Sequence, residues 1–441
     1  MRIACLCGTY LTHRGGAELY AHRIAGELVG MGHELTVIAA EGSLAPFPEA
    51  PYRVVALGRD RRREEFARRL LALEKVRGCY RLARWLFRSG RFQLIAAGPC
   101  CPELESPGFF SGYDVVMLVR GGGAWTVQMA RAVEELRGPL TVAAPLLHVR
   151  ESGAVFPILR RLYSKYDLMV ALSEYESAWM REQGWGGDRI MVAGAGSDEC
   201  GPVERGAFRR RHGVPVDAPL VAFVGRKIHS KGVQHVIEAM DLVWDREPKA
   251  RLALLGFSHN APEWIPGIIG SLRHPAEGRI LNLDDVGEGE REQALEDCDV
   301  FCMPSISESF GIAYLDAWRH RKPVIGCRGC SSESIIAQGR TGLLVEFGDV
   351  GGIAAAVETV LSDQGLRSAM GEAGFLQWQR KWTWELVAGE VEQLFQDHLP
   401  RRPSHGILLG KAPEPQRRRD EEKNRQGART GTDERRTKSD R

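Results

Sequence analysis

The chain lacks the features that would send it to a membrane, a nucleic acid or a disulfide scaffold. No stretch approaches the roughly 18 consecutive apolar residues of a membrane-spanning helix. The apolar part of the opening "MRIACLCGTY" is too short for a signal peptide and reads as a first strand. The formal net charge of the 441 residues is only +2, so no global field for a polyanion is indicated. No short-period repeat is visible. The expected location is the cytoplasm, where the ten cysteines stay reduced. Two close pairs, Cys298 with Cys302 and Cys327 with Cys330, suggest a zinc site by their spacing. Three of the four fall in or beside apolar, strand-like runs ("DVFCMPS", "PVIGC"), where cysteine acts as a small hydrophobe. Neither zinc nor a disulfide is expected there.

The small net charge hides an uneven distribution. Residues 401–441 carry 13 Lys or Arg against 7 Asp or Glu, with few large apolar residues after Leu409. That composition fits a disordered, solubilising tail, with a membrane-surface or partner contact as the second reading. The stretch "RDRRREEFARRLLALEKVRGCYRLARWLFRSG", residues 59–90, repeats Leu, Phe and Trp at helical spacing. Its charges read as a solvated helix face, and a peripheral contact at the inner membrane face is the minor alternative.

What the chain does have is alternation. "RIACLCG" is a strand, "THRGGAELY" a Gly-containing loop, "AELYAHRIAGELVGMG" a helix ending at Gly32, and "HELTVIAA" a second strand. That rhythm is a parallel βαβ unit. Further strands are expected at "FQLIAA", "YDVVMLV", "LTVAAPLL" and "DLMVALS". The Gly- and Pro-bearing passage "AGAGSDECGPVERGAFRRRHGVPVDAP" reads as a domain junction. A second series starts at "PLVAFVG", residues 219–225. It runs through a helix near 232–246, "ARLALLGF", "RILNL", a helix at 289–297, "VFCMPS", a helix at 310–319, "KPVIGC" and "TGLLVEF". Helices around 350–362 and 366–379 follow. Two α/β series joined near residue 200 imply two doubly wound, Rossmann-like domains facing across a cleft. Ligands then sit at the carboxyl ends of the strands.

Three loops at strand ends carry chemical weight. Gly15 and Gly16 precede a helix, where backbone can approach an anion; alone they are equally an ordinary turn. In "FVGRKIHSKG", Gly225 ends a strand, and Arg226 and Lys231 follow on a loop that leads into a helix. Two cations and backbone N–H groups suit a diphosphate, although each cation alone would be an ordinary surface residue. In "ISESFGIAYLD", Glu308 precedes a helix entry at Ser309, Phe310 and Gly311, whose free N–H groups suit a phosphate. Asp316 is expected two turns along on about the same side, facing a more distant part of the same ligand. By spacing alone, Glu308 could equally be a capping acid and Asp316 a surface acid. Asp-x-Asp at 297–299 ("DCD") precedes a strand and reads as a helix end, so no metal signature stands at the site. No G-x-G-x-x-G follows the first strand, and the "GGG" at 121–123 lacks the right continuation, which disfavours a dinucleotide-dependent oxidoreductase.

Together these blocks resemble the family-4 retaining glycosyltransferases of the GT-B fold. The likeness runs in order through "RGGAELYAHRIAGELVGMGHELTVIAA", "LHVRESG", "ALSEYE", "FVGRKIHSKGVQHVIEAM" and "DCDVFCMPSISESFGIAYLDAWRHRKPVIGCRGCSSESIIAQGRTGLLVEFGD". It continues into "KWTWELVAGEVEQLF", which is similar to the helix that crosses back to the first domain in that family. The resemblance implies an acceptor-side domain over 1–200, a donor domain over 201–382 and a returning helix over 383–400, ahead of the disordered basic tail read from composition over 401–441. It implies a metal-independent transferase with no cofactor. The enzyme would move a hexose-type sugar from a UDP- or GDP-linked donor to a glycan, a lipid-linked sugar or a small molecule, as in envelope or surface polysaccharide synthesis.

The resemblance also assigns roles. Glu308 matches the acid that contacts the donor sugar, and Asp316 the acid that holds the ribose. Arg226 and Lys231 match the pair that neutralises the diphosphate. His148 matches a histidine near the reacting sugar, which on its own would be a structural histidine. Gly15 and Gly16 match the loop that closes over the donor phosphates. Glu333, in "GCSSE", matches the end of a Gly-Gly-x-Pro-Glu segment. Base recognition would fall near Leu283–Gly287. Two departures stand out. Asp316 replaces a glutamate, shortening the reach by roughly 1.5 Å, and "GCSSE" lacks the second Gly and the Pro. The alternatives are a catalytically idle nucleotide-sugar-binding partner protein, or a GT-B enzyme that epimerises or hydrolyses nucleotide sugars.

Overall fold

The computed structural model describes residues 1–11, 15–42, 47, 49–65, 99–120, 124–150, 156–257 and 264–399. The strand expected at "FQLIAA", most of the basic helix expected over 59–90, and the tail 401–441 lie outside the described residues.

Two parallel sheets form the architecture. The first has seven strands in the order β3-β2-β1-β4-β5-β6-β7: β1 Arg2–Leu6, β2 Glu34–Ala40, β3 Arg53–Leu57, β4 Val115–Val119, β5 Leu140–Ala144, β6 Leu168–Ala171 and β7 Ile190–Val192. The second has six in the order β10-β9-β8-β11-β12-β13: β8 Leu220–Val224, β9 Arg251–Leu255, β10 Ile280–Leu283, β11 Val300–Cys302, β12 Val324–Cys327 and β13 Gly342–Val345. Each sheet starts in its middle, grows to one edge, then returns to the centre and grows to the other. This is the doubly wound order of a Rossmann-like domain. β4 ("VVMLV") and β8 ("LVAFV") are buried at every position, as expected of central strands with helices on both faces.

Two strands are additional to the sequence reading. β3 ("RVVAL") lies on an edge and is largely exposed, and β7 has three residues. Their apolar runs, "VVAL" and "IMVA", are short, and each lies between an arginine and a glycine. The helix at the heart of the candidate site is also shorter than expected. It spans Ile312–Arg319, capped by Gly311 at φ 107°. A side chain at Gly311 would strain that left-handed backbone, and its Cβ would lie 2.5 Å from the Tyr314 ring.

The two sheets are joined through 193–206 and bound together again by the last described helix, Trp384–His398, which packs on the helix Gly16–Gly30. Tyr20 and Trp384 meet edge to face at 6.0 Å, His33 Nε2 lies 2.8 Å from Glu392 Oε1, and Ser197 N–H donates to Trp382 O at 3.0 Å. No described helix is long and apolar enough to cross a membrane.

Candidate functional site

A cavity of about 390 Å³ opens where the carboxyl ends of β1 and β4 face those of β8 and β11. These are the neighbouring strands at which each sheet reverses its order, β1 with β4 and β8 with β11. The chain leaves such a pair in opposite directions and so leaves a crevice. Gly15, Gly16, His148, Arg226, Lys231, Glu308, Ser309, Phe310 and Gly311 all line the cavity.

The second-domain wall is built by two interwoven loops. After β8, the chain makes a tight turn over His229–Lys231, and Gly232 at φ 74° starts the helix Val233–Val243. A Cβ at Gly232 would lie 2.4 Å from Pro304 O, so only glycine lets the turn press against the β11 loop. Ile306 N–H donates to Ser230 O at 2.9 Å and completes that contact. Lys231 is thereby buried, and its Nζ donates to Glu308 Oε1 at 2.7 Å and to Ser307 O at 3.0 Å. Lys has three donors, so one remains. Arg226 is exposed to the cavity, and no described residue takes its guanidinium. The N–H groups of Ser309, Phe310 and Gly311 find no backbone acceptor among the described residues. The wall therefore presents a cation, a spare ammonium donor and a run of open N–H groups, with one buried carboxylate beside them.

The first-domain wall is charged but self-satisfied. Arg120, just after β4, donates through Nη1 to Glu18 Oε1 at 3.0 Å and to Thr9 Oγ1 at 2.8 Å. Thr9 Oγ1 also donates to Glu18, which is 2% exposed. Arg120 and Leu146 adopt φ 81° and 51°, an uncommon backbone for side-chain-bearing residues that concentrates at ligand sites. Leu146 O accepts from Ser309 Oγ of the other domain at 3.0 Å. His148 Nδ1 lies 3.2 Å from Ser307 Oγ, so the histidine meets the loop that carries Glu308. Behind this wall Glu176 is fully buried and accepts from the N–H groups of Leu147 and Leu172 at 2.7 and 2.8 Å. Burial pushes its carboxyl up to about 7. The Tyr20 hydroxyl, also at the cavity, is buried with no partner among the described residues.

Three residues singled out in the sequence stand off the cavity lining. Gly225 ends β8, and its N–H pairs with Leu255 O at 3.0 Å. Glu333 is exposed, and its carboxylate accepts from Gly329 N–H at 2.7 Å. Asp316 is buried and accepts from Ser197 Oγ at 2.5 Å, with Arg319 and Arg291 at 3.7 and 3.9 Å. Because the helix starts at Ile312, Asp316 stands about one turn in, not two. Conversely, Glu18, Tyr20, Arg120 and Leu146 line the cavity, and sequence reasoning gave none of them a role. The signal available for Arg120 was its place at the end of "YDVVMLV", but that strand's position beside β1 is a tertiary fact. Of the proposed cysteine pairs, all four thiols are free. Lys227 adds support outside the cavity: its side chain is wholly buried and donates to Asn282 Oδ1, Leu283 O and Asp284 Oδ1. It ties the β8 loop to the end of β10.

Both halves of the chain match family models. Residues 14–199 match "Glycosyltransferase Family 4" and residues 204–377 match "Glycosyl transferases group 1". A D-inositol 3-phosphate glycosyltransferase of Corynebacterium glutamicum is 32% identical over 225 residues, 48% of this chain and 52% of that protein. A GDP-mannose-dependent monoacylated alpha-(1-6)-phosphatidylinositol monomannoside mannosyltransferase of the same species is 29% identical over 206 residues, 44% and 51% of the two chains. The chain spans about half the length of these curated relatives. Among solved structures, Anabaena HepE in complex with UDP superimposes with a TM-score of 0.71 over 90% of this chain and 100% of that one, at 16% identity. Sucrose-phosphate synthase of Thermosynechococcus elongatus gives 0.67 over 90% and 98%, at 17% identity. With a family model on each sheet and the same two-sheet fold in these neighbours, the chain belongs to the family-4 glycosyltransferases of the GT-B fold.

Proposed function

We propose that the protein transfers a hexose-type sugar from a nucleoside-diphosphate donor to a glycan, lipid-linked or small-molecule acceptor, with retention and without a metal at the reacting centre. The observation that carries this reading is the Arg226 guanidinium, without a partner among the described residues, beside the buried Lys231–Glu308 pair and N–H groups of 309–311 that meet no described backbone acceptor. As the bond from the sugar to the diphosphate breaks, negative charge develops on the leaving oxygen. Arg226, the spare donor of Lys231 and the N–H groups line the same side of the cavity, and on this reading they stabilise that charge as fixed donors. Glu308, fixed by Lys231, orients the sugar. His148 faces the same space from the first domain, and the acceptor attacks on the face from which the diphosphate leaves. The acceptor meets the wall of Arg120, Tyr20, Gly15 and Gly16. Asp316 and Glu333 are assigned to the nucleoside end and the donor on the family pattern; the ribose then competes with Ser197 for Asp316.

The names of similar proteins support both donor types: a relative is GDP-mannose-dependent, and Anabaena HepE is described with UDP-glucose. We place the protein in the cytoplasm, with any membrane contact peripheral. The test offers UDP-, GDP- and ADP-sugars to the purified protein without acceptor or added metal, beside Glu308→Ala. Release of nucleoside diphosphate from one donor, reduced about 10²- to 10³-fold in the variant, is expected. Release undiminished in Glu308→Ala would overturn the assignment, and binding of none of the donors would overturn the donor site itself.

A further inference from the structure

Away from the cavity, a cysteine, a glutamate and a histidine converge at the junction of the two domains. Cys200 lies on the linker after β7, Glu292 on the helix Glu288–Asp297, and His320 caps the helix Ile312–Arg319. Their ligand atoms all fall within 4.8 Å of one another. Glu292 and His320 are buried, and Cys200 is partly exposed, so an ion has a way in.

The geometry points to a binding site for one zinc-class divalent cation held by Cys200 Sγ, Glu292 Oε2 and His320 Nε2.

Three features argue for it. First, a single carboxylate oxygen, Glu292 Oε2, takes both the Cys200 thiol at 3.2 Å and His320 Nε2 at 2.8 Å. Two protons thus crowd onto one oxygen, and one divalent ion can replace both. The thiol becomes a thiolate and the imidazolium becomes neutral; two protons leave as two positive charges arrive, so the cluster's charge is unchanged. Second, His320 Nδ1 lies 2.9 Å from Glu296 Oε2. A carboxylate on Nδ1–H turns the lone pair of Nε2 toward the ion, the usual support of a metal-bound histidine. Third, Arg319 and Arg291 hold the other oxygen, Oε1, at 2.5 and 3.1 Å. They fix the carboxylate without occupying Oε2. Ligands about 2.0–2.3 Å from a tetrahedral zinc lie about 3.3–3.6 Å apart; the contacts to Oε2, at 3.2 and 2.8 Å, would open by up to about 0.5 Å, and Cys200 Sγ and His320 Nε2, within 4.8 Å of each other, would adjust to share the ion. A sulfur, nitrogen and oxygen set selects a borderline ion over magnesium or calcium, and solvent beside Cys200 supplies the fourth ligand.

The ion would fasten the linker to two helices of the second domain. None of the three residues lines the cavity. The link to Asp316 is indirect, through Arg319 and Arg291, which reach both Glu292 and Asp316.

The test is Co²⁺ and Zn²⁺ binding to the chelator-treated full-length protein. Expected are one Co²⁺ per chain, a thiolate-to-cobalt charge-transfer band, and its displacement by Zn²⁺. Cys200→Ser should abolish the band; this residue is on a partly exposed linker, and circular dichroism confirms that the variant folds. Glu296→Gln should keep the band and weaken affinity about 10- to 100-fold. Absence of a thiolate band in the wild type, or an equal band in folded Cys200→Ser, overturns the site, whatever donor hydrolysis shows.

Discussion

The two walls of the cavity are made of similar parts and do opposite things with them. Each sits at the reversal point of a parallel sheet, and each brings an arginine and a buried glutamate to the end of a central strand. In the first domain, Arg120 is spent on Glu18 and Thr9. In the second, Lys231 is spent on Glu308, which leaves Arg226 uncommitted among the described residues. The difference teaches where a dianionic leaving group belongs: a guanidinium already neutralised by a buried carboxylate gains little from a phosphate, whereas an unpaired one gains a charge-assisted, bidentate contact. On the proposed reading, a similar fold pattern yields one wall for the diphosphate and one for the acceptor.

The largest predicted effect concerns the support of the first wall. Glu176 has its carboxyl raised from an ordinary 4.5 to about 7 by burial. The folded state therefore holds a proton that the unfolded chain gives up. This group's contribution to stability is full below about pH 4.5 and is lost as pH rises through about 7, a loss of about 3 kcal/mol. Urea unfolding at about pH 5 and about pH 8 should show it, and Glu176→Gln should flatten the difference while leaving one backbone N–H poorly paired. An unchanged pH dependence in the variant would assign the slope to other groups.

Arg226→Ala and Arg120→Ala break the comparison directly. The first should lower donor turnover about 100-fold and change unfolding free energy by no more than about 0.5 kcal/mol, because it removes no hydrogen bond or ion pair among the described residues. The second should cost about 1–2 kcal/mol of stability, since it leaves buried Glu18 short of a partner; the half-exposed arginine keeps the cost below that of a fully buried pair. If Arg226→Ala destabilises the fold as much as Arg120→Ala does, the contrast between the walls fails.

The smallest effect belongs to the bond that joins them. Ser309→Ala removes the donor to Leu146 O and should cost about 0.5–1.5 kcal/mol in thermal unfolding, with a looser cleft seen as faster amide exchange around Leu146. Unchanged exchange there would mean that the bond does not hold the walls together.

Much of this was legible in the chain. The second domain's strands are continuous apolar runs, so "PLVAFVG" and "KPVIGC" read directly as β8 and β12. β3 carries a comparable apolar run, "VVAL", so its omission reflects no missing signal, although the fold leaves most of it exposed at an edge. The helix start was misplaced because Gly311 inserts one left-handed residue after a phrase that looks like a cap. Nine of the residues singled out share the cavity, since local loops after strands carry them. Asp316 stands apart through Ser197, a partner 119 positions away, and Arg120 enters through the order of strands. Neither pairing has a local signature.

The most direct test of the account is calorimetric titration of wild-type protein and Arg226→Ala with UDP, GDP and their sugars. The account predicts one nucleotide bound per wild-type chain and an affinity at least tenfold weaker, about 1.4 kcal/mol, in the variant. Equal affinity in the two proteins would contradict it, because the uncommitted guanidinium would then play no part in holding the diphosphate.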